Sequence, residues 1–491
     1  MKSLKIFSLI ALMGFLVSCE DWFDVNTDPN NPSDATPELV LPVGMVEAGA
    51  VIGGYYNLLG GFWSQYWTQS NVANQYKYID QYLLDATDFN TQWRDMYANA
   101  LNDIRFAGDK AKVNQNNSLY LMATVMEAYC FQVMVDLYDE VPYSEALQGE
   151  KGNVTAKFDN GQAIYDDLIK RLDEVLALPL NALTENEKKG DFVFAGNMNS
   201  WVRFANTLKL KIYMRQMYAR PEVAQAGIQK MYADGVQFLS GDAKLDIFRD
   251  EKNYDNPLYA SDRRGLNVGT NLRASSTLFR YLDLNADPRF GFVIDKAPNG
   301  SKGVSLPQGG YNLPNSGSTA ATTIALAKLK PTDPVYFISA AESYFLQAEA
   351  VAKGWGTGND ASLYASGVNA AFARYGLDAT SFVAPGGAYA YPSAGTFEQK
   401  QEAIIMQKWV SMAVTQGIES FFETNRTGYP RVSSIPATSA EYPGGQLTYS
   451  IEGTTSGKFP KRLIFPKLER DSNPNVPAEK GVTEPVWWDK K

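Results

Sequence analysis

The chain has 491 residues, with 45 basic and 54 acidic side chains, two cysteines and no histidine. Without imidazole there is no Ser-His-Asp or Cys-His nucleophile system, no histidine-ligated metal and no histidine acid/base step; carboxylate, lysine or oxygen-ligated metal chemistry remains open. The acidic excess gives no general electrostatic pull toward nucleic acid or anionic lipid, so no nucleic-acid partner is expected.

In chain order, the first element is not expected to join the fold. Lys2 and Lys5 precede an apolar run from Ile6 to Val17, broken only by Ser8 and Gly14, which suits the h-region of a secretory signal. The run ends in Leu16-Val17-Ser18-Cys19, which resembles the lipobox of bacterial lipoproteins. Residues 1–18 therefore read as a signal peptide that is removed, and Cys19 as the lipidation site. Two or three acyl chains on Cys19 anchor firmly, whereas one binds only marginally. Loss of Lys2 and Lys5 leaves 43 basic residues against 54 acids, a net of −11.

Residues 19–42 read as a polar tether, and Glu20 and Asp21 resemble the acidic signals of surface-exported lipoproteins. Asp24, Asn26 and Asp28 imitate the start of a calcium loop. Pro29 and Ala35 stand where that loop needs glycine and glutamate, so a flexible entry segment is expected, without metal or cofactor.

Residues 43–491 read as a single, mainly α body. Helical patterns cover Val43–Gln69, Thr91–Val113, Ser118–Tyr138, Gly161–Leu178, Ser200–Tyr218, Pro221–Asp234, Phe337–Lys353, Ala361–Tyr375 and Thr396–Gln416. Gly354 and Gly376 supply stop signals after two of them. None is expected to cross a membrane. Cys130 sits among Leu119, Met122, Met126, Tyr129, Val133 and Leu137 at helical spacing, as a small buried hydrophobe. Short Gly/Pro/Asn turns between helices imply tetratricopeptide-like helix pairs in a superhelix. Large irregular loop insertions interrupt it at about 240–335, 377–396 and 427–460, with a few short strands such as Gly291-Phe292-Val293-Ile294.

Five segments together resemble the SusD/RagB family, in its SusD-like branch. They are Asp24–Asn30, Asn285-Ala286-Asp287-Pro288-Arg289-Phe290, Pro334–Trp355, Gln416–Pro430 and Lys458–Glu469. The resemblance implies tetratricopeptide-like helix pairs with irregular loops. It further implies an outer-membrane, surface-facing lipoprotein that serves as the lid and substrate receptor of a SusC-type TonB-dependent β-barrel transporter. The ligand it implies is an oligosaccharide, or a peptide in RagB-like members. The rival readings are a secreted glycosidase using two carboxylates and a protein-binding scaffold. No pair among the acids is marked, so the chain is not expected to be an enzyme.

Residues 55–82 hold nine aromatics and seven Asn or Gln, with one base and one acid. Aromatic faces stack on the C–H face of a sugar ring and amides bond its hydroxyls, so the mixture suits a neutral glycan. Tyr55, Leu58, Leu59, Phe62, Trp63, Tyr66 and Trp67 also form one helical stripe, which fits a core-facing helix. After Trp67 the period stops, and Asn71, Asn74, Gln75, Tyr76 and Tyr78 read as the ligand-contacting loop, with Trp67 as the stacking platform at the helix end and Trp63 also placed among the ligand-binding residues. Asp262, Arg263, Arg264 and Arg273 form a second cluster suited to a carboxylate or phosphate, or to pairing with nearby acids. Arg273 is the member placed in the ligand site.

Overall fold

The computed structural model describes residues 35–266 and 269–491. The expected signal peptide (1–18), the lipidation site Cys19, the Asp24–Asn30 segment and most of the tether lie outside the described residues.

Helix α1 (Pro37–Val51) starts on a proline at its first turn, where no N–H partner is needed. The expected tether boundary at residue 42 falls inside this helix, because Pro37 and Leu41 are already buried. A π-helical turn (Ile52–Tyr56) follows, then α2 (Asn57–Trp63) and the short α3 (Lys77–Asp80). Next come α4 (Asn102–Val113), α5 (Asn117–Tyr138), α6 (Gly161–Leu176), α7 (Met198–Arg215) and α8 (Pro221–Ala233). Helices α9 (Ala340–Ala352), α10 (Asp360–Ala373), α11 (Phe397–Met412) and α12 (Gly417–Thr427) complete the main set.

Sequential helices pack as hairpins: α4 on α5, α5 on α6, α7 on α8 and α9 on α10, with α11 against α9. Side-chain caps set many starts. Asn116, Asn160, Asn197, Ser339 and Asn359 each accept an N–H of the first turn, and Thr396 with Gln399 closes a capping box on α11.

Three further expectations need correction. Val43–Gln69 is not one helix: it is bent by the π turn, where Gly54 leaves helical geometry, and stops at Trp63 before Gln65 takes a positive φ of 57°. Gly291–Val293 is not a strand either; it belongs to a helical turn, Phe290–Val293, and only Ile294 and Asp295 pair. Two stretches, Pro37–Trp63 and Asn117–Tyr138, are also long and apolar enough to cross a membrane, contrary to the sequence reading. Burial inside the fold, 94% of the α5 window, accounts for the composition of the second: a helix apolar all round is a core helix; the window of the first is 56% buried.

The strands are short and few. β1 (Trp67–Gln69), β2 (Glu140–Pro142), β3 (Phe158–Asn160), β4 (Ala243–Leu245), β5 (Leu272–Ala274), β6 (Ile294–Asp295), β7 (Leu326–Ala327) and β8 (Val335–Ile338) form one four-stranded sheet, β1-β5-β7-β6, and two two-stranded ones. The four-stranded sheet organises the 240–335 insertion and ties it to the chain just after α2.

A buried ionic lattice stitches five helices. Arg215 of α7 reaches Asp136 of α5 at 3.0 Å and Glu419 of α12 at 2.6 Å, and also pairs with Glu423. Lys211 meets Glu342 of α9 at 3.0 Å and Glu419 at 2.8 Å; Lys408 of α11 meets Glu423 at 3.0 Å. Arg426 clamps Glu349 at 2.7 Å and Glu423 at 2.6 Å. Burial alone would raise the Glu423 carboxyl, but Arg426, Lys408 and Arg215 hold it well below the usual carboxylate range. Asp136 is different: burial lifts it to about 6 despite Arg215.

Glycine governs one close approach. A Cβ on Gly60 would sit 2.2 Å from the backbone of Gly417, and one on Gly417 would sit 2.5 Å from the Asn57 carbonyl oxygen. These two glycines let α2 lie directly on the start of α12. Asn57 seals the contact, accepting the Gly417 N–H at 2.7 Å and donating to the Val414 carbonyl at 2.8 Å.

Candidate functional site

The segment after α2 and the arginine cluster, some 200 residues apart in sequence, meet in space. Antiparallel pairing sets Thr68 opposite Arg273, and the Ser70 N–H donates to the Asn271 carbonyl at 2.8 Å. From the other side, the π turn carrying Tyr55 packs against Pro257–Tyr259, which runs into a second π turn, Ala260–Arg264. A Cβ on Gly54 would touch Pro257 at 3.5 Å, ordinary van der Waals contact. π turns are frequent at functional sites because they redirect side chains that an α-helix would hold elsewhere.

Tyr55 and Tyr78 are half-buried rings, and the buried Asp262 carboxylate lies near Tyr55. Burial, then the charge of Asp262, raises the Tyr55 phenol; burial, then Tyr55, raises Tyr78. Asp262 is itself pushed up by burial and drawn back by Arg263, whose guanidinium lies 2.5 Å away. Arg263 is braced by the carbonyls of Gly269 at 2.6 Å and Ala327 at 3.0 Å, so its planar head is fixed. Asn74 and Gln75 are exposed beside this group, on the turn leading into α3.

The remaining expected site residues sit differently. Trp67 is on β1 rather than at a helix end and is 1% exposed. Its indole N–H donates to the Leu58 carbonyl at 3.2 Å, and its ring fills the space where Gly61 lacks a Cβ. Tyr76 is fully buried, edge-on to Phe62 at 5.8 Å, with its phenol against Asp262. Arg273 is 1% exposed and donates to Ser70 Oγ at 3.1 Å and the Ile324 carbonyl at 3.0 Å. Burial, then the neighbouring Arg263, lowers it to about 10. These three side chains brace the site from below and present no open face to a ligand. Asn71 is half-buried and spends its amide N–H on the Thr319 carbonyl at 2.7 Å, tying down the 313–319 loop. Trp63 donates to the Ile79 carbonyl at 3.2 Å and turns its ring toward Phe421, lining a different pocket.

Arg264 does not reach the group at all, since it pairs with Asp250 and Asp255. Sequence reasoning missed Asp80, which is fully buried and faces no cation among the described residues. It accepts from Thr68 Oγ1 at 2.6 Å, the Gln69 N–H at 2.9 Å and Gln308 Nε2 at 2.5 Å, and burial raises it to about 6. It locks α3 to β1 and so fixes where Tyr78 stands. Its one visible signal is being the lone acid in an aromatic and amide-rich stretch. Among the described residues no group of three or more acids or cysteines is placed to hold a metal.

The arrangement brings together two half-buried aromatic rings and a braced, partly exposed Arg263 over the buried Asp262, with two exposed amides on the turn leading into α3. The sequence matches the SusD-like family described as "Starch-binding associating with outer membrane" over residues 55–450. No curated protein matches. Among solved structures, the fold is similar to a SusD homologue from Bacteroides uniformis, with a TM-score of 0.73 and 22% identity, covering 92% of this chain and 99% of that one. A chitin-binding SusD homologue from Flavobacterium johnsoniae gives 0.72 and 21%, covering 92% and 98%. A SusD homologue from Bacteroides thetaiotaomicron gives 0.73 and 19%, covering 93% and 100%. At these identities the likeness speaks for the fold, while the family match spans most of the sequence: the chain belongs to the SusD-like family.

Proposed function

We propose that this protein is a surface lipoprotein that captures an oligosaccharide and presents it to a SusC-type TonB-dependent transporter, without chemical turnover. The observation that carries the reading is the cluster of Tyr55, Tyr78, Asn74, Gln75 and Arg263 at the junction of two π turns. Half-exposed phenol rings supply flat faces for sugar C–H groups, and the amides and the braced guanidinium supply donors for ring hydroxyls. The family description and the chitin-binding relative support a glycan as ligand, and the Cys19 motif supports lipid anchoring at the outer membrane.

Calorimetric titration with starch- and chitin-derived oligosaccharides tests the proposal. Saturable binding that weakens in Tyr55→Ala and Tyr78→Ala is the expected result. Binding of peptides with no glycan bound, or cleavage of any oligosaccharide, overturns it.

A further inference from the structure

A second pocket, of about 370 Å³, lies between α12 and the C-terminal segment and shares no residue with the Tyr55–Tyr78 site. That volume falls in the range of small-molecule sites, about 300–1,000 Å³. Its floor is aromatic: Trp63 and Phe421 have ring centroids 4.9 Å apart, and Phe459 closes one wall. Val432, 59% exposed, stands at the rim.

The charged side chains of the lining have one sign. Lys458, Lys461 and Lys491 all border the pocket and no carboxylate side chain does, in a chain with more acids than bases. Lys461 is matched by Asp489 at 2.8 Å and Lys491 by Glu398 at 2.8 Å. Lys458 is exposed and has no ion-pair partner among the described residues. Asn425 adds an independent observation. It is 7% exposed, lines the pocket, and its buried Nδ2 finds no acceptor among the described residues. A buried donor without an acceptor costs free energy that a ligand oxygen recovers.

We propose that this pocket binds a small amphipathic carboxylate, its ring or chain laid against Trp63, Phe421 and Phe459. One carboxylate oxygen accepts from Asn425 Nδ2 and the anion pairs with Lys458. Apolar lining supplies affinity, and the unmatched ammonium with the orphaned amide selects an anion over a neutral or cationic analogue. This activity is separate from glycan capture and does not depend on it.

The test titrates the full chain with 3-phenylpropionate, its neutral primary amide and 3-phenylpropylamine, followed by calorimetry and by ligand-observed NMR. The acid should bind saturably and about fivefold more tightly than the amide, the scale of one exposed ion pair, and the amine should bind weakest. Lys458→Gln should bring the acid down to the amide's affinity and leave the amide unchanged. Val432→Trp, at an exposed position, should block both ligands while the melting temperature and oligosaccharide titration stay as in the parent. Absence of saturable acid binding, equal affinity for acid and amide, an unchanged affinity in Lys458→Gln, or binding that survives Val432→Trp would each overturn the proposal.

Discussion

Replacing Arg426 with Met keeps the unbranched apolar stem and removes the charged guanidinium from the centre of the ionic lattice. Arg426 is fully buried and makes four bonds of 2.6–2.9 Å to Glu349 and Glu423. Glu423 retains Lys408 and Arg215 in the variant, whereas among the described residues Glu349 is left with Gln401 Nε2 at 2.6 Å. Stranding one buried carboxylate in this way costs about 3–5 kcal/mol. Unfolding entropy near 60 °C is about 2.1 cal/mol/K per residue, roughly 1 kcal/mol/K over about 450 residues, so the melting temperature should fall by about 3–5 °C. Adding Glu349→Gln should recover part of the loss, because the neutral amide needs no cation. Calorimetric melting of the parent, single and double variants decides the matter. A fall below about 1 °C, or a double variant no more stable than the single one, would refute the view that the lattice is a closed set of mutually dependent charges.

Tyr78→Ala should weaken oligosaccharide binding by about 1–3 kcal/mol with little change in melting temperature, read by paired titration and calorimetry. Trp67→Ala should do the reverse, lowering stability by about 3–5 kcal/mol, since the enclosed indole leaves a cavity over Gly61. Asp80 is held protonated by burial between its unfolded value of 3.8 and about 6, so it contributes stability below that window that is lost as pH rises through it. Asp80→Asn should therefore flatten the chemical-denaturation stability profile there by about 3 kcal/mol. Gly60→Ala should destabilise by about 1–3 kcal/mol, because the added methyl meets the Gly417 backbone, which has no rotamer to yield.

Most of the regular helices were legible because their burial repeats with the helical period, while α5, buried almost all round, showed as a long unbroken apolar run. α5 through α8 and α9 through α11 lie within a few residues of their expected spans, with caps where Asn, Ser and Thr stand. What the period could not show was where it is interrupted. Gly53-Gly54 is a breaker pair inside the first helical run, and Gln65 takes a left-handed conformation with no glycine or proline to announce it. The assumption that the helix continued is what put Trp67 at its exposed end instead of on a strand. The sheet that joins Thr68 to Arg273 was illegible for another reason. Its strands are two or three residues long, too short for an alternation, and their pairing spans some 200 residues. The clearest lesson lies in Gln416–Pro430, one of the segments that carries the family resemblance. Its Glu419, Glu423 and Arg426 look like solvated charge in sequence, yet they are lattice members whose partners come from α7, α9 and α11. Those residues identify the fold and say nothing about the ligand.

The π turn at Ile52–Tyr56 has an evolutionary consequence. Gly54 leaves helical geometry there (φ −91°, ψ −111°), so the turn is a kink joining two flanks that are each seated on their own neighbours: α1 on α4, and α2 on α12. The contacts that hold the molecule together lie on the flanks, whereas Tyr55 stands on the kink between them. Substitutions within the kink can therefore re-aim that ring while the anchoring residues stay under separate selection.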